Sequence, residues 1–181
     1  MNDKDLNLFK QGCRVLMILK RKKDGGPTKE KGRRKHVYIS QNEEEFNQHL
    51  GVLEQERKEG ERIYCSVNAR SMDKAIRIFK QRQLDNDYVS DSGRFYLDIK
   101  NRFISCITKP QAREEYNFLF DYDRINNVEH VLDTLRIHTE VLYVRETKNG
   151  WHIITKPFNH TKLPKIEDME LKTDGLLLLK Y

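Results

Sequence analysis

Two short segments carry residues whose types and spacing suit chemistry. In Asn117-Phe118-Leu119-Phe120-Asp121-Tyr122-Asp123 an apolar run ends in Asp-x-Asp. A strand repeats its side-chain direction every two residues, so Asp121 and Asp123 share a face and present two carboxylates together. Such a pair repels itself unless a positive charge intervenes, and a divalent cation with hard oxygen ligands is one solution. An Asp-rich turn closing a strand is the alternative. The second segment, Glu146-Thr147-Lys148-Asn149-Gly150-Trp151-His152-Ile153-Ile154, follows one predicted helix later. Asn-Gly is the preferred pair for a two-residue type I′ hairpin turn, which sets Lys148 opposite Trp151 and Thr147 opposite His152. Arg145, Thr147, His152, Ile154, Tyr143 and Lys156 then fall on one face, and Val144, Trp151 and Ile153 on the other. A face bearing His152, Arg145 and Lys156 suits phosphate oxygens, with Arg a bidentate donor and His a switchable one.

The elements that must hold these residues can be read in order. Gly12 to Leu19 reads as a strand, and His36 to Ile39 as a second strand completing a long hairpin. Ser40, with Glu43 three residues on, resembles an N-cap for a helix running to about Arg57 and ending by Gly60. Arg62 to Val67 alternates as a strand, and Ser71 opens a helix through Phe79. An amphipathic helix over Arg94 to Ile107 ends at Pro110. Then come the Asp-x-Asp strand, a helix from about Val128 to Ile137, the hairpin of Val141 to Arg145 with Trp151 to Thr155, a loop bracketed by Pro157 and Pro164, and a buried strand at Leu176 to Leu179. The expected class is α/β (α+β) in two small lobes, 1–110 and 111–181, or one compact domain.

Composition bounds the reading. The chain has 181 residues, 37% of them hydrophobic and 34% charged, enough for a real core under a heavily ionised surface. The formal net charge is +6. Between Lys20 and Lys35 nine Lys or Arg face only Asp24 and Glu30, so this stretch carries the whole excess. With Gly25-Gly26-Pro27 and Gly32 inside it, it reads as a flexible loop. Lys20, Arg21, Lys22, Lys23, Arg33, Arg34 and Lys35 are its candidate contacts to the backbone of single-stranded nucleic acid, by counterion release; a solvated charge run is the alternative. No apolar run approaches the length of a membrane span, the start lacks a signal-peptide pattern, and three scattered cysteines give neither a disulfide framework nor a zinc site. A cytoplasmic protein without membrane partners is expected.

The hydrophobic strand ending in Phe120-Asp121-Tyr122-Asp123, the following helix, and the strand turn Gly150-Trp151-His152 resemble the archaeo-eukaryotic primase superfamily, which includes primase-polymerases of plasmids and phages. The likeness covers roughly Asn117 to Phe158, and Gly150 stands where the family's Ser-x-His motif begins with Ser. The resemblance implies an RRM-like catalytic lobe and two-metal nucleotidyl transfer. Asp121 and Asp123 would hold Mg²⁺ or Mn²⁺, and His152 and Gly150 would meet the incoming nucleoside triphosphate. The family's third acidic residue is assigned to Asp174, with Asp168 and Glu170 as alternatives. Arg145 and Lys156 join the nucleotide site on the hairpin register alone. No helicase motif or Cys-rich module accompanies this core.

Two other classes of function remain open. Lys172-Thr173-Asp174-Gly175 fits the Lys-x-Asp-Gly motif of covalent nucleotidyltransferases such as ligases, where the lysine attacks the α-phosphate, but it also reads as a turn into the last strand. The chain also reads as a non-catalytic nucleic-acid-binding protein that keeps a degenerate polymerase face.

Overall fold

The computed structural model describes residues 12–20, 34–87 and 97–181. Among them are eight strands and four α-helices: β1 (Arg14–Leu19), β2 (Arg34–Ser40), α1 (Glu43–Glu56), β3 (Arg62–Ser66), α2 (Met72–Asp87), α3 (Ile99–Ile107), β4 (Phe118–Tyr122), α4 (Val128–His138), β5 (Val141–Glu146), β6 (Trp151–Thr155), β7 (Met169–Lys172) and β8 (Leu176–Lys180). The strands form two antiparallel sheets, ordered β2-β1-β3-β8 and β5-β6-β4-β7. The fold is mixed α+β, and no described helix is long and apolar enough to cross a membrane.

The continuous apolar runs are explained by burial on both faces. Val15 and Met17 of β1 pack with Tyr64, Leu178, Ala75 of α2 and Ile107 of α3. Leu16 and Ile18, from the opposite face, meet Phe46 and Leu53 of α1 together with Leu119 and Ile154 of the second sheet. The outer face of that second sheet, with Phe120 and Ile153, is covered by Val131, Leu132 and Leu135 of α4. The layers therefore run helices, sheet, sheet, helix, with α1 closing the seam. A strand covered on both sides is apolar at successive positions, and the inward rows of β4 and β6 turn polar at Asp121 and His152, where they pass from core to cleft.

Local signals place the helices. The capping box of α1 lies two residues beyond the expected one: Asn42 Oδ1 accepts from the Glu45 N–H, and Glu45 Oε2 accepts from the Gln41 N–H. Ser40 is the last residue of β2, and its hydroxyl bonds His49 Nδ1 at 2.9 Å instead. Ser71 caps α2 as expected, accepting from the Lys74 N–H.

Three expectations change. The last strand does not belong to the second lobe: β8 pairs with β3, so the boundary at residue 110 does not separate the sheets. β7 lies in the segment expected to be loop. It is only four residues of alternating character, too short for a periodic signal, and takes its strand form from pairing with β4. The hairpin turn is longer than two residues. Glu146 faces Trp151 and Arg145 faces His152, with Thr147 N–H bonded to the Gly150 carbonyl at 2.7 Å across a four-residue turn. The pairing is thus displaced by two residues from the expected register, and a shift of two keeps every side chain on its expected face. In the basic stretch, Arg21, Lys22, Lys23 and Arg33 lie outside the described residues; Lys20 follows β1, and Arg34 and Lys35 open β2.

Candidate functional site

The second sheet sets one row of ionisable side chains across all four strands. Arg145 of β5 faces His152 of β6, His152 faces Asp121 of β4, and Asp121 faces Glu170 of β7. Directly paired residues on neighbouring strands share a face, so all four project toward the first sheet. On the same face, Asp123, just past β4, stands two residues to one side of this row, and Lys172, which pairs with Leu119 at the end of β7, two residues to the other. The next row toward the core contains Ile154 and Leu119, both in the core between the sheets. This face is therefore not open throughout, as the expected polar face implied. It is apolar and sealed at one end and opens into a cleft at the other.

The cleft has a volume of about 170 Å³. Asp121, Asp123, Glu170, Lys172 and His152 line its floor; Thr147, Lys148 and Asn149 of the hairpin turn, with Arg62 and Tyr181 from the first sheet's side, form its rim. The Arg62 guanidinium lies over the Tyr181 ring at 5.6 Å, and the Tyr181 hydroxyl accepts from the Lys148 N–H.

His152 is 5% exposed and held from both ends. Its Nδ1 accepts the Leu178 N–H of β8 at 3.4 Å, which places the ring proton on Nε2, 3.3 Å from Asp121 Oδ1. The other Asp121 oxygen receives Lys172 Nζ at 2.5 Å, and the same ammonium reaches Glu170 at 3.1 Å. The His152 hydrogen bond, followed by Lys172, holds the Asp121 carboxyl well below the usual carboxylate range, outweighing a half-buried position that acts the other way. For Lys172, burial acts to lower the ammonium's pKa, but the contacts with Asp121 and Glu170 outweigh it and raise it. Both groups are therefore ionised at neutral pH.

Asp121, Asp123 and His152 are brought together as expected, with His152 turned away from the Trp151 side, where the indole Nε1–H bonds the Ile125 carbonyl. Gly150 explains its own identity. A Cβ there would stand 1.9 Å from the Tyr122 carbonyl oxygen and 2.8 Å from the Arg124 nitrogen, so the backbone at the end of β4 leaves no room for the Ser of the Ser-x-His pattern. Gly150 itself and three further expected residues lie outside the cleft lining. Arg145 Nη2 donates to the Leu179 carbonyl at 2.6 Å and ties the two sheets together. Lys156 pairs with Glu140 at 2.5 Å on an exposed surface. Asp174 is taken by Arg70 at 2.7 Å, with Asn68 beside it. Of the alternatives for the third carboxylate, Asp168 is bound by Arg124 at 2.5 Å, and Glu170 alone lines the cleft.

Sequence reasoning missed Arg62, Lys148 and Tyr181 as cleft residues and Lys172 as the partner of Asp121. The first three are brought in by pairing across long sequence separations and by the longer turn. Lys172 could have been found from a β7 assignment, since it would then fall two residues from Glu170 on the face of Asp121. No protein-family model, no characterised protein and no solved structure matches this chain.

Proposed function

We propose that the chain is a primase-polymerase-like nucleotidyltransferase that adds nucleotides to a nucleic-acid strand. The observation that carries this reading is the meeting of Asp121 and His152, 31 positions apart in sequence, side by side at 3.3 Å in a cleft with Asp123 and Glu170. These are the residue types, on the same strand-turn frame, that the resemblance to the primase superfamily requires. The sheet order β5-β6-β4-β7, with a helix after its first strand and a hairpin next, supports the reading too. It is the order of an RRM-like module without its second helix.

The donor chemistry fits Mg²⁺ or Mn²⁺: Asp121, Asp123 and Glu170 offer hard carboxylate oxygens from one cleft, with Asp121 kept ionised. As they stand, no three His, Cys, Asp or Glu among the described residues are grouped closely enough to hold an ion, and the cation beside Asp121 is Lys172. Asp121, Asp123 and Glu170 would be the ligands, with Glu170 in the role the sequence assigned to Asp174. When bound, such ions activate a 3′ hydroxyl and neutralise charge on the α-phosphate and the departing pyrophosphate.

The chain's own groups have definite tasks in this reading. Leu178 fixes the His152 ring so that Nε2–H points at Asp121 Oδ1, and a phosphate oxygen at the cleft floor would have to take that hydrogen from Asp121. Lys148 and Arg62 line the rim and neutralise the triphosphate, Arg62 being steadied over Tyr181. Gly150 lets the turn lie against β4 and carries Lys148 to the rim. Lys172 as a covalent nucleophile is disfavoured, because its ammonium is paired twice and stays protonated.

The pairing of Lys172 with Asp121 also favours a second reading, a nucleic-acid-binding protein whose polymerase-like site no longer turns over. One experiment separates the two. The protein is incubated with labelled nucleoside triphosphates, Mn²⁺ and a primed single-stranded template, with Asp121→Ala alongside. Incorporation by the parent alone supports the transferase; salt-sensitive template binding without incorporation by either protein supports the second reading.

A further inference from the structure

We infer that Lys172 is an exchangeable counter-ion of the cleft, a resident ammonium that competes with divalent cations for Asp121 and Glu170. The inference rests on the metal-binding reading above and adds a property that the reading does not contain. Asp121 and Glu170 are direct cross-strand partners on one face, an arrangement in which like charges repel. Lys172 lies two residues beyond Glu170 on the same face, and its Nζ is 2.5 Å from Asp121 and 3.1 Å from Glu170. The ammonium thus bridges the two anions.

The bridge is built to be released. The Lys172 side chain is 29% exposed and Glu170 is 70% exposed, so the ammonium and one end of its bridge reach solvent, while Asp121, at 16%, is the enclosed end. A lysine ammonium is a compact charge on a flexible stem, unlike the planar fork of arginine. An entering divalent cation meets an Asp121 oxygen already taken and must displace Nζ, so the competition subtracts from its affinity. The displaced ammonium remains in a cleft that Arg62 and Lys148 also line, where it can turn to a phosphate oxygen. In this way the metal-free protein avoids an uncompensated carboxylate pair, at the expense of weaker metal binding.

The test uses Mn²⁺ alone, without nucleotide, on the full chain. Binding is read by the electron paramagnetic resonance signal of free Mn²⁺ and by the Mn²⁺-dependent rise in Tm. Lys172→Gln removes the competing charge, and its Kd for Mn²⁺ should fall by about tenfold, the factor that ~1.4 kcal/mol of lost competition represents. Its metal-free Tm should also fall. Lys172→Arg, which grips a carboxylate more firmly, should bind Mn²⁺ more weakly than the parent, and it carries the test if the glutamine variant does not fold. A parent that binds Mn²⁺ with the same Kd as both variants overturns the inference while leaving the metal site standing. Absence of Mn²⁺ binding in all three proteins overturns the inference and the metal-dependent reading together.

Discussion

Replacing Gly150 by Ser, the residue that opens the pattern this turn resembles, should damage the protein. A Cβ at this position stands 1.9 Å from the Tyr122 carbonyl oxygen, where ordinary carbon–oxygen contact is about 3.3–3.6 Å. The turn must therefore retreat from β4 by about 1.5 Å, and the obstacle is the backbone of Tyr122 and Arg124, with no flexible side chain that could swing aside. Overpacking of this kind costs about 1–3 kcal/mol. For a chain of this size each kcal/mol lowers Tm by about 2–4 °C, so a fall of about 2–12 °C is expected. The same retreat carries Thr147, Lys148 and Asn149 away from the cleft floor. The assay is thermal and urea denaturation in chelator, followed by Mn²⁺ and triphosphate binding on the folded variant at low temperature. Gly150→Ala should already show most of the stability loss, because the clash is with the first side-chain carbon. A Gly150→Ser protein with Tm within a degree of the parent would refute the packing argument and, with it, the reason given for the glycine.

Two further predictions concern charge. Asp121→Asn should lower metal-free stability at pH 7 by about 1.5–3 kcal/mol, the range for hydrogen bonds to a charged group. Because the Asp121 carboxyl is depressed below its ordinary value near 3.8, its stabilisation is complete above that pH and is lost as pH falls through the folded value. The urea-midpoint gap between parent and variant should therefore start to shrink as pH falls below about 4 and go on shrinking through the depressed folded value, and a gap that stays constant from about pH 7 to about pH 2 counts against the assignment. Asp174→Ala leaves the Arg70 guanidinium, 4% exposed, without its carboxylate, and should cost about 3–5 kcal/mol with no change in Mn²⁺ affinity. Loss of Mn²⁺ binding with intact stability would restore Asp174 to the metal site.

The parts legible in the sequence were those encoded by local period. Alternation sets the faces of β5 and β6, so His152 and Trp151 fall on opposite sides in the sequence pattern as in the structure, although a two-residue Asn-Gly turn puts the register two residues out. The convergence of Asp121 with His152 was legible for the same reason. The roles of Arg145, Lys156 and Asp174 were not, because sharing a face does not tell how far along it the cleft extends. Arg145 meets β8 backbone and Asp174 meets Arg70, both partners distant in sequence. Lys172 stayed hidden because a four-residue strand with two charged members has no period to read. Ser40 and Glu43 imitated a capping box that Asn42 and Glu45 supply, a displacement that follows from β2 running on to Ser40.

The late position of β8 has a consequence for the order of assembly. β3 is made early, but Tyr64 and Cys65 find their partners on one side only when Leu177 and Leu178 have been synthesised. Until then the first sheet has an open apolar edge at β3, and the His152 ring lacks the Leu178 N–H that sets its tautomer. Contacts of such long range form slowly, and the exposed edge is a template for wrong pairing meanwhile. A nascent chain stopped before Leu176 would thus carry both carboxylates and the histidine yet lack the Leu178 and Tyr181 side of the cleft. The cleft is completed by β8, the last of the described strands to be synthesised.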